Sequence, residues 1–213
     1  MKTAAKFPLM FKSALAALFA FSAIQLACAA PPNQALSLKD YTVVPVKNGI
    51  TQFDFAPRDS DTSDNRPGYI VSTHRENFNA HSFDLTSFYA FEIGDSKSTL
   101  GSIPVFDGDK ENANVVRSGG ADCVLKDFRL LQARQGKPLL LIVANRSLGQ
   151  SFADENDVTF DYYQLKENTA TDFGRPYMYF ERVATRKAKK KYCDVGRAFQ
   201  SELGLGPYDN TQQ

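Results

Sequence analysis

Nine short runs rich in β-branched and aromatic residues, each bounded by turn formers, set the limits on what this chain can fold into. They are Tyr41 to Val46, Ile50 to Phe55, Tyr69 to Thr73, Phe83 to Ile93, Ile103 to Phe106, Cys123 to Gln132, Leu139 to Ala144, Val158 to Lys166 and Tyr177 to Thr185. Apolar and polar residues alternate in Val158-Thr159-Phe160-Asp161-Tyr162 and in Phe83-Asp84-Leu85-Thr86-Ser87-Phe88, the pattern of strands with one buried face. Leu139-Leu140-Leu141-Ile142-Val143 is apolar throughout and reads as a central strand covered on both faces. Lys47-Asn48-Gly49 is a tight-turn signal that predicts a hairpin between the first two runs. Near the C-terminus Asp194 can cap a helix whose apolar side is Val195, Phe199 and Leu203, with Gly204 as its stop. A weaker helix signal covers Gln34 to Lys39. Many short strands without a βαβ rhythm predict an all-β fold, an antiparallel β-sandwich with short terminal α-helices.

The first 30 residues read as a secretory signal: basic Lys2 to Lys12, an apolar stretch from Ala14 to Leu26, then Ala27-Cys28-Ala29-Ala30. Cleavage after Ala29 satisfies the small-x-small rule, so the expected organisation is a signal peptide over 1–29 and one domain over 30–213, in the periplasm. Acylation of Cys28 is the alternative, although Gln25 stands where a lipoprotein signal usually has Leu. Without the leader's three lysines, the 25 Lys and Arg fall to 22 against 24 Asp and Glu, a net charge of two negative. Nucleic acid is therefore not an expected partner. The three cysteines reduce to Cys123 and Cys193, for which a disulfide is the natural reading in an oxidising compartment and two buried thiols the alternative. Closing a loop of about 70 residues would restrict the unfolded chain by roughly 4 kcal/mol in the loop-entropy account.

Several catalytic patterns are missing. The sequence has no Ser-x-x-Lys for an acylating serine and no Gly-x-Ser-x-Gly elbow. Its two histidines, His74 and His81, are too few for a multi-histidine zinc centre, and neither belongs to a His-Glu-x-x-His helix. The expectation is a protein that is not an enzyme and carries no cofactor beyond a structural cation.

The densest polar cluster is Thr73-His74-Arg75-Glu76-Asn77-Phe78-Asn79-Ala80-His81, between two predicted strands. Here His74, Arg75, Glu76, Asn77 and His81 are ligand-binding candidates, with Arg75 able to grip a carboxylate by two parallel hydrogen bonds. The plainer reading, and the one adopted, is a turn network in which Asn77 and Asn79 satisfy backbone groups and Arg75 pairs with Glu76 or Asp84. Asp59, Asp61 and Asp64 form an acidic loop suited to a hard cation, and Asp107-Gly-Asp109-Lys-Glu111-Asn112 forms another. Neither matches an EF-hand, and both also fit solvated loops. Arg186-Lys187-Ala188-Lys189-Lys190-Lys191 is either a surface for anions or a solvated strand end. Ser118-Gly119-Gly120-Ala121-Asp122 reads as a flexible turn before a strand, or as a binding loop.

Three segments carry a resemblance: His-Arg-Glu-Asn-Phe-Asn-Ala-His-Ser-Phe-Asp (74–84), Ser-Gly-Gly-Ala-Asp-Cys-Val-Leu-Lys-Asp-Phe-Arg-Leu-Leu (118–131) and Lys-Lys-Tyr-Cys-Asp-Val (190–195). They resemble the carbapenem intrinsic resistance proteins of the CarG type, over about Val46 to Leu205. The resemblance implies a periplasmic β-sandwich, often a homodimer, similar in fold to bacterial inhibitors of invertebrate-type lysozyme. It implies protection against a carbapenem by a non-hydrolytic route, with the carbapenem or another small anionic ligand as partner. The second function class it suggests is lysozyme inhibition, in which a loop bearing Ser and Gly enters the enzyme's acidic cleft. Ser118-Gly119 is the Ser-Gly pair here, beside Cys123. The resemblance also implies a bound-cation site in at least one protein of this type, and relatives carry a compact Asp-x-x-Gly-Asp-type loop before the His-Arg-Glu-Asn segment. This chain has Asp54-Phe-Ala-Pro-Arg-Asp59-Ser-Asp61 there, a departure from that pattern.

Overall fold

A computed structural model describes residues 37–55, 67–79, 81–91, 99–120, 122–133, 137–169 and 171–206. The segment 1–29 read as a signal peptide, Cys28, Asp59, Asp61, Asp64 and residues 34–36 of the helix expected over Gln34 to Lys39 lie outside them, and the described part of that helix, residues 37–39, leads into a turn and is not helical.

Among the described residues twelve strands carry the fold. They are β1 (Tyr41–Val43), β2 (Gly49–Asp54), β3 (Pro67–Arg75), β4 (Phe83–Phe91), β5 (Leu100–Ser102), β6 (Val105–Asp107), β7 (Lys110–Asn112), β8 (Val115–Gly119), β9 (Val124–Ala133), β10 (Leu140–Arg146), β11 (Val158–Glu167) and β12 (Met178–Lys187). Hydrogen bonds link them into one sheet in the order β2-β3-β4-β8-β9-β10-β11-β12-β6-β7, with β1 beside β9 and β5 beside β4. The all-β class is as the sequence predicts, and the pairing is antiparallel except between β12 and β6, which run parallel.

The sheet packs on itself. Phe53, Ile70 and Phe88 from β2, β3 and β4 share a core with Phe128, Leu130, Leu141, Val143 and Phe180 from β9, β10 and β12. A second core on the opposite side joins Leu140, Ile142, Ala144 and Phe160 to the C-terminal helix residues Val195, Ala198 and Phe199. Strand β10 supplies both cores with alternate residues, which explains its unbroken apolar run. The segment Leu100–Asp107 then spans the gap between β4 and β12: β5 pairs with β4, and β6 pairs with β12.

The C-terminal helix forms as its capping signals require. Asp194 accepts hydrogen bonds from the N–H groups of Gly196 and Arg197 at 2.7 and 3.2 Å, and α1 (Val195–Ala198) continues as a π-helical turn over Phe199–Leu203. Gly204 ends it at φ 68°, a left-handed conformation that glycine adopts without Cβ strain. Cys123 and Cys193 are joined in a disulfide with Cα atoms 5.7 Å apart, so the helix entry is tied to the start of β9.

Four expectations need correction. The run Tyr41 to Val46 does not pair with Ile50 to Phe55: β1 adds to β9, whose edge is free beyond the reach of β8, while β2 pairs with β3. A place on a central strand outweighs an isolated two-stranded ribbon. In β4 the buried side is Thr86, Phe88 and Ala90, with Asp84 at its end, the opposite phase from the one Phe83 and Leu85 suggest. The buried Thr86 hydroxyl bonds the Ser72 hydroxyl at 3.1 Å, which makes that face tolerable. Ser118 and Gly119 belong to β8 rather than to a flexible turn. Finally, Asp107 to Asn112 is not an irregular loop but a tight hairpin between β6 and β7, with Gly108 at φ 60°. Among the described residues no group of three or more His, Cys, Asp or Glu converges as metal ligands.

Candidate functional site

Strand register builds the site. His74 on β3 lies opposite Asp84 on β4, and Asp84 lies opposite Arg117 on β8. Cross-strand neighbours have Cβ atoms about 5 Å apart, so this register brings a cation, an anion and a second cation into contact. His74 Nδ1 is 2.8 Å from Asp84 Oδ1, and Arg117 Nη1 donates to Asp84 Oδ2 at 3.4 Å. The series extends in both directions. Glu76 Oε2 is 3.6 Å from His74 Nε2, Arg117 Nε is 3.7 Å from Asp127 Oδ1, and Asp127 Oδ2 accepts from Arg129 Nη1 at 2.8 Å. Arg129, only 2% exposed, also donates to the carbonyls of Gly206 and Phe128 at 2.6 Å each, and lies over the Phe199 ring. A line of alternating charge therefore runs from an exposed turn into the core beneath the C-terminal helix.

Charge state follows from these contacts. The hydrogen bond to Asp84 holds the His74 imidazole above its ordinary value of 6.5, opposed by desolvation and assisted by Glu76. The Phe78 N–H bonds Glu76 Oε1 at 2.8 Å and pulls the Glu76 carboxyl below the usual range. Burial pushes Asp127 up, opposed by Arg129, Arg117 and the Phe128 N–H.

Between the β3–β4 segment and the end of β8 lies a pocket of about 200 Å³, bordered by His74, Asp84, Arg117, Ser118, Gly119 and Gly120. Its wall can only be glycine at 119, where a Cβ would lie 2.7 Å from the Cys123 carbonyl and 2.8 Å from the Val124 Cα. Its polar lining brings the His74 imidazole and the Arg117 guanidinium together around the Asp84 carboxylate.

The sequence candidates divide within this frame. His74 and Glu76 belong to the charge series. Asn77 Nδ2 donates to the His81 carbonyl at 2.7 Å and Asn79 Oδ1 accepts from the His81 N–H at 2.8 Å, the local bonds of a turn network. His81 turns to Phe152, ring centroids 4.2 Å apart, above Gly120. Arg75 lies over Phe83, its guanidinium carbon 5.1 Å from the ring centroid, while Asp84 is held by His74 and Arg117. In the basic run, Arg186 pairs with Glu202 at 2.8 Å, and Lys190 and Lys191 border a groove with Arg197. Arg117, Asp127 and Arg129 escaped the sequence reading, yet Lys126-Asp127-Phe128-Arg129 set inside an apolar strand is a signal that buried charges must be paired there.

No protein-family model matches the sequence, and no curated protein matches it. Among solved structures, the crystal structure of CarG matches with a TM-score of 0.60 at 20% identity, covering 78% of this chain and 99% of that one. This chain has the CarG fold. The coverage runs almost end to end on CarG, so the similarity concerns the whole two-layered sheet and not a shared hairpin. At 20% identity the CarG likeness describes the backbone framework, and the pocket chemistry given above is this chain's own.

Proposed function

We propose that this is a periplasmic, non-enzymatic protein of the carbapenem-resistance type, acting by binding a small anionic ligand and not by hydrolysing it. The CarG fold carries the reading, because that fold is what this chain shares with CarG over nearly all of CarG's length. The pocket between His74 and Gly120 supports it: the Arg117 guanidinium is the donor type that a carboxylate takes, and a raised His74 adds positive charge in mildly acidic conditions. The missing acylating serine and zinc centre favour binding over turnover.

Lysozyme inhibition is the second reading. The position of Ser118 and Gly119 weighs against it, since both are strand residues in register with Lys126 and Val124, and Ser118 also faces Phe83. A loop that enters a cleft must protrude.

Equilibrium binding of the mature protein to a carbapenem and to an invertebrate-type lysozyme, measured side by side, separates the two. Saturable carbapenem binding without β-lactam loss, weakened by Arg117→Ala, is the expected result. Lysozyme binding alone would replace this reading with the second, and turnover that survives repurification would end it. Intact mass of periplasmic protein tests the leader, with a mature chain starting at Ala30 and lacking two hydrogens for the disulfide.

A further inference from the structure

A second polar cluster lies at one end of the inner core, apart from the His74–Arg117 pocket. Lys126 on β9 is opposite Asn145 on β10, and Asp161 on β11 is opposite Val143. Alternation places these polar residues on the same side as Phe128 and Val143, members of the inner core. Together with Lys110 and Asn112 of the β6–β7 hairpin they border a pocket of about 340 Å³ floored by Val105, Val115 and Val143.

The carboxylates of this pocket are already engaged. Asp107 Oδ1 is 2.8 Å from Arg182 Nη2. Asp161 Oδ1 accepts from the Thr185 hydroxyl at 2.6 Å and lies 3.9 Å from Arg182 Nη1, and Asp161 Oδ2 lies 3.4 Å from Asn145 Nδ2. Among the described residues no ion pair includes Lys110 or Lys126. Burial lowers the Lys126 ammonium and Lys110 lowers it further, with Asp161 opposing. A half-buried cation held beside a like charge costs stability unless something anionic sits with it. Three cations, Lys110, Lys126 and Arg182, against Asp107 and Asp161 leave one net positive charge. Tyr163, pushed up to about 12 mainly by burial, keeps its phenol proton and remains a donor.

We propose that this pocket binds a small monocarboxylate, its oxygens held between Lys110 and Lys126 with Asn112 and Tyr163 as neutral donors. Charge balance selects a monoanion: a phosphate near two negative charges would meet Asp107 and Asp161 across the same cavity. The inference is independent of the proposed function, because it concerns another pocket and needs no carbapenem.

The test uses the mature protein titrated separately with acetate and with inorganic phosphate at constant ionic strength, read by backbone amide NMR shifts. Saturable acetate shifts centred on Lys110, Asn112, Lys126 and Asn145 are expected, with phosphate weaker. Lys126→Met keeps the aliphatic stem and removes the charge, so acetate affinity should fall by about tenfold or more while the melting temperature rises above wild type. Lys110→Met, on an exposed hairpin, should also weaken acetate and serves as the deciding variant if Lys126→Met does not fold. Undiminished acetate affinity in folded Lys110→Met, shifts that do not saturate, or tighter binding of phosphate would each overturn the proposal.

Discussion

Arg75 and Arg129 look alike in the sequence and differ several-fold in what they hold. Arg129 is buried and bonded to Asp127 and two carbonyls, so Arg129→Ala strands a buried carboxylate and should cost about 3–5 kcal/mol. Arg75 is exposed and rests on one aromatic ring, so Arg75→Ala should cost only about 0.5–1 kcal/mol. Urea titrations of the two variants test the contrast, and equal losses would contradict it. His74 makes the residue-scale prediction for pH. Its pKa is raised on folding, so its contribution is complete below the ordinary 6.5 and disappears as pH climbs through the higher folded value. The urea midpoint of His74→Gln should therefore lie furthest below wild type in mild acid, and the two should converge in alkali. A gap that widened with pH would contradict the His74–Asp84 pairing.

The junction between β9 and α1 is held twice. The Cys123–Cys193 disulfide ties the two segments, and one carboxylate, Asp194, caps the helix with Oδ1 while Oδ2 accepts from the Val124 N–H at 3.0 Å. Replacing both cysteines by Ala should cost about 2–5 kcal/mol, and Asp194→Ala about 1–2 kcal/mol with added loss from the unsatisfied Val124 N–H. Asp194→Asn, which retains an acceptor oxygen, should recover part of that loss. Thermal melts of the three variants check the order, and two titratable thiols in native protein would remove the premise. Arg146 reinforces the same corner: its Nη1 donates to the carbonyls of Asp154 and Cys193, which draws the β10–β11 connection to the helix entry. The helix was legible from Asp194, the apolar spacing and Gly204 because caps and stops act through neighbouring backbone groups.

At the scale of the molecule, one crossing segment ties the layers. The Ile103 N–H bonds the Phe88 carbonyl at 2.8 Å, the Phe180 N–H bonds the Pro104 carbonyl at 2.9 Å, and the Ile103 side chain is buried in the inner core. Ile103→Ala should lower stability by about 2–5 kcal/mol, and near- and far-ultraviolet circular dichroism should still report one coincident transition, since both layers contribute to the same core. Two separated transitions would show layers that unfold independently. The sequence by itself determined the all-β class, nine of the strands, the doubly covered β10, the capped C-terminal helix and the cysteine pair, because period, capping and turn chemistry are local. It could not supply β5, β7 and β8, which are 3, 3 and 5 residues long and have little alternation to read. Nor could it choose β1's partner, the buried side of β4, or the alignment of His74, Asp84 and Arg117. Those depend on register between strands distant in sequence, where a shift of one residue turns every side chain to the other face, and only the packed tertiary structure settles which face is buried.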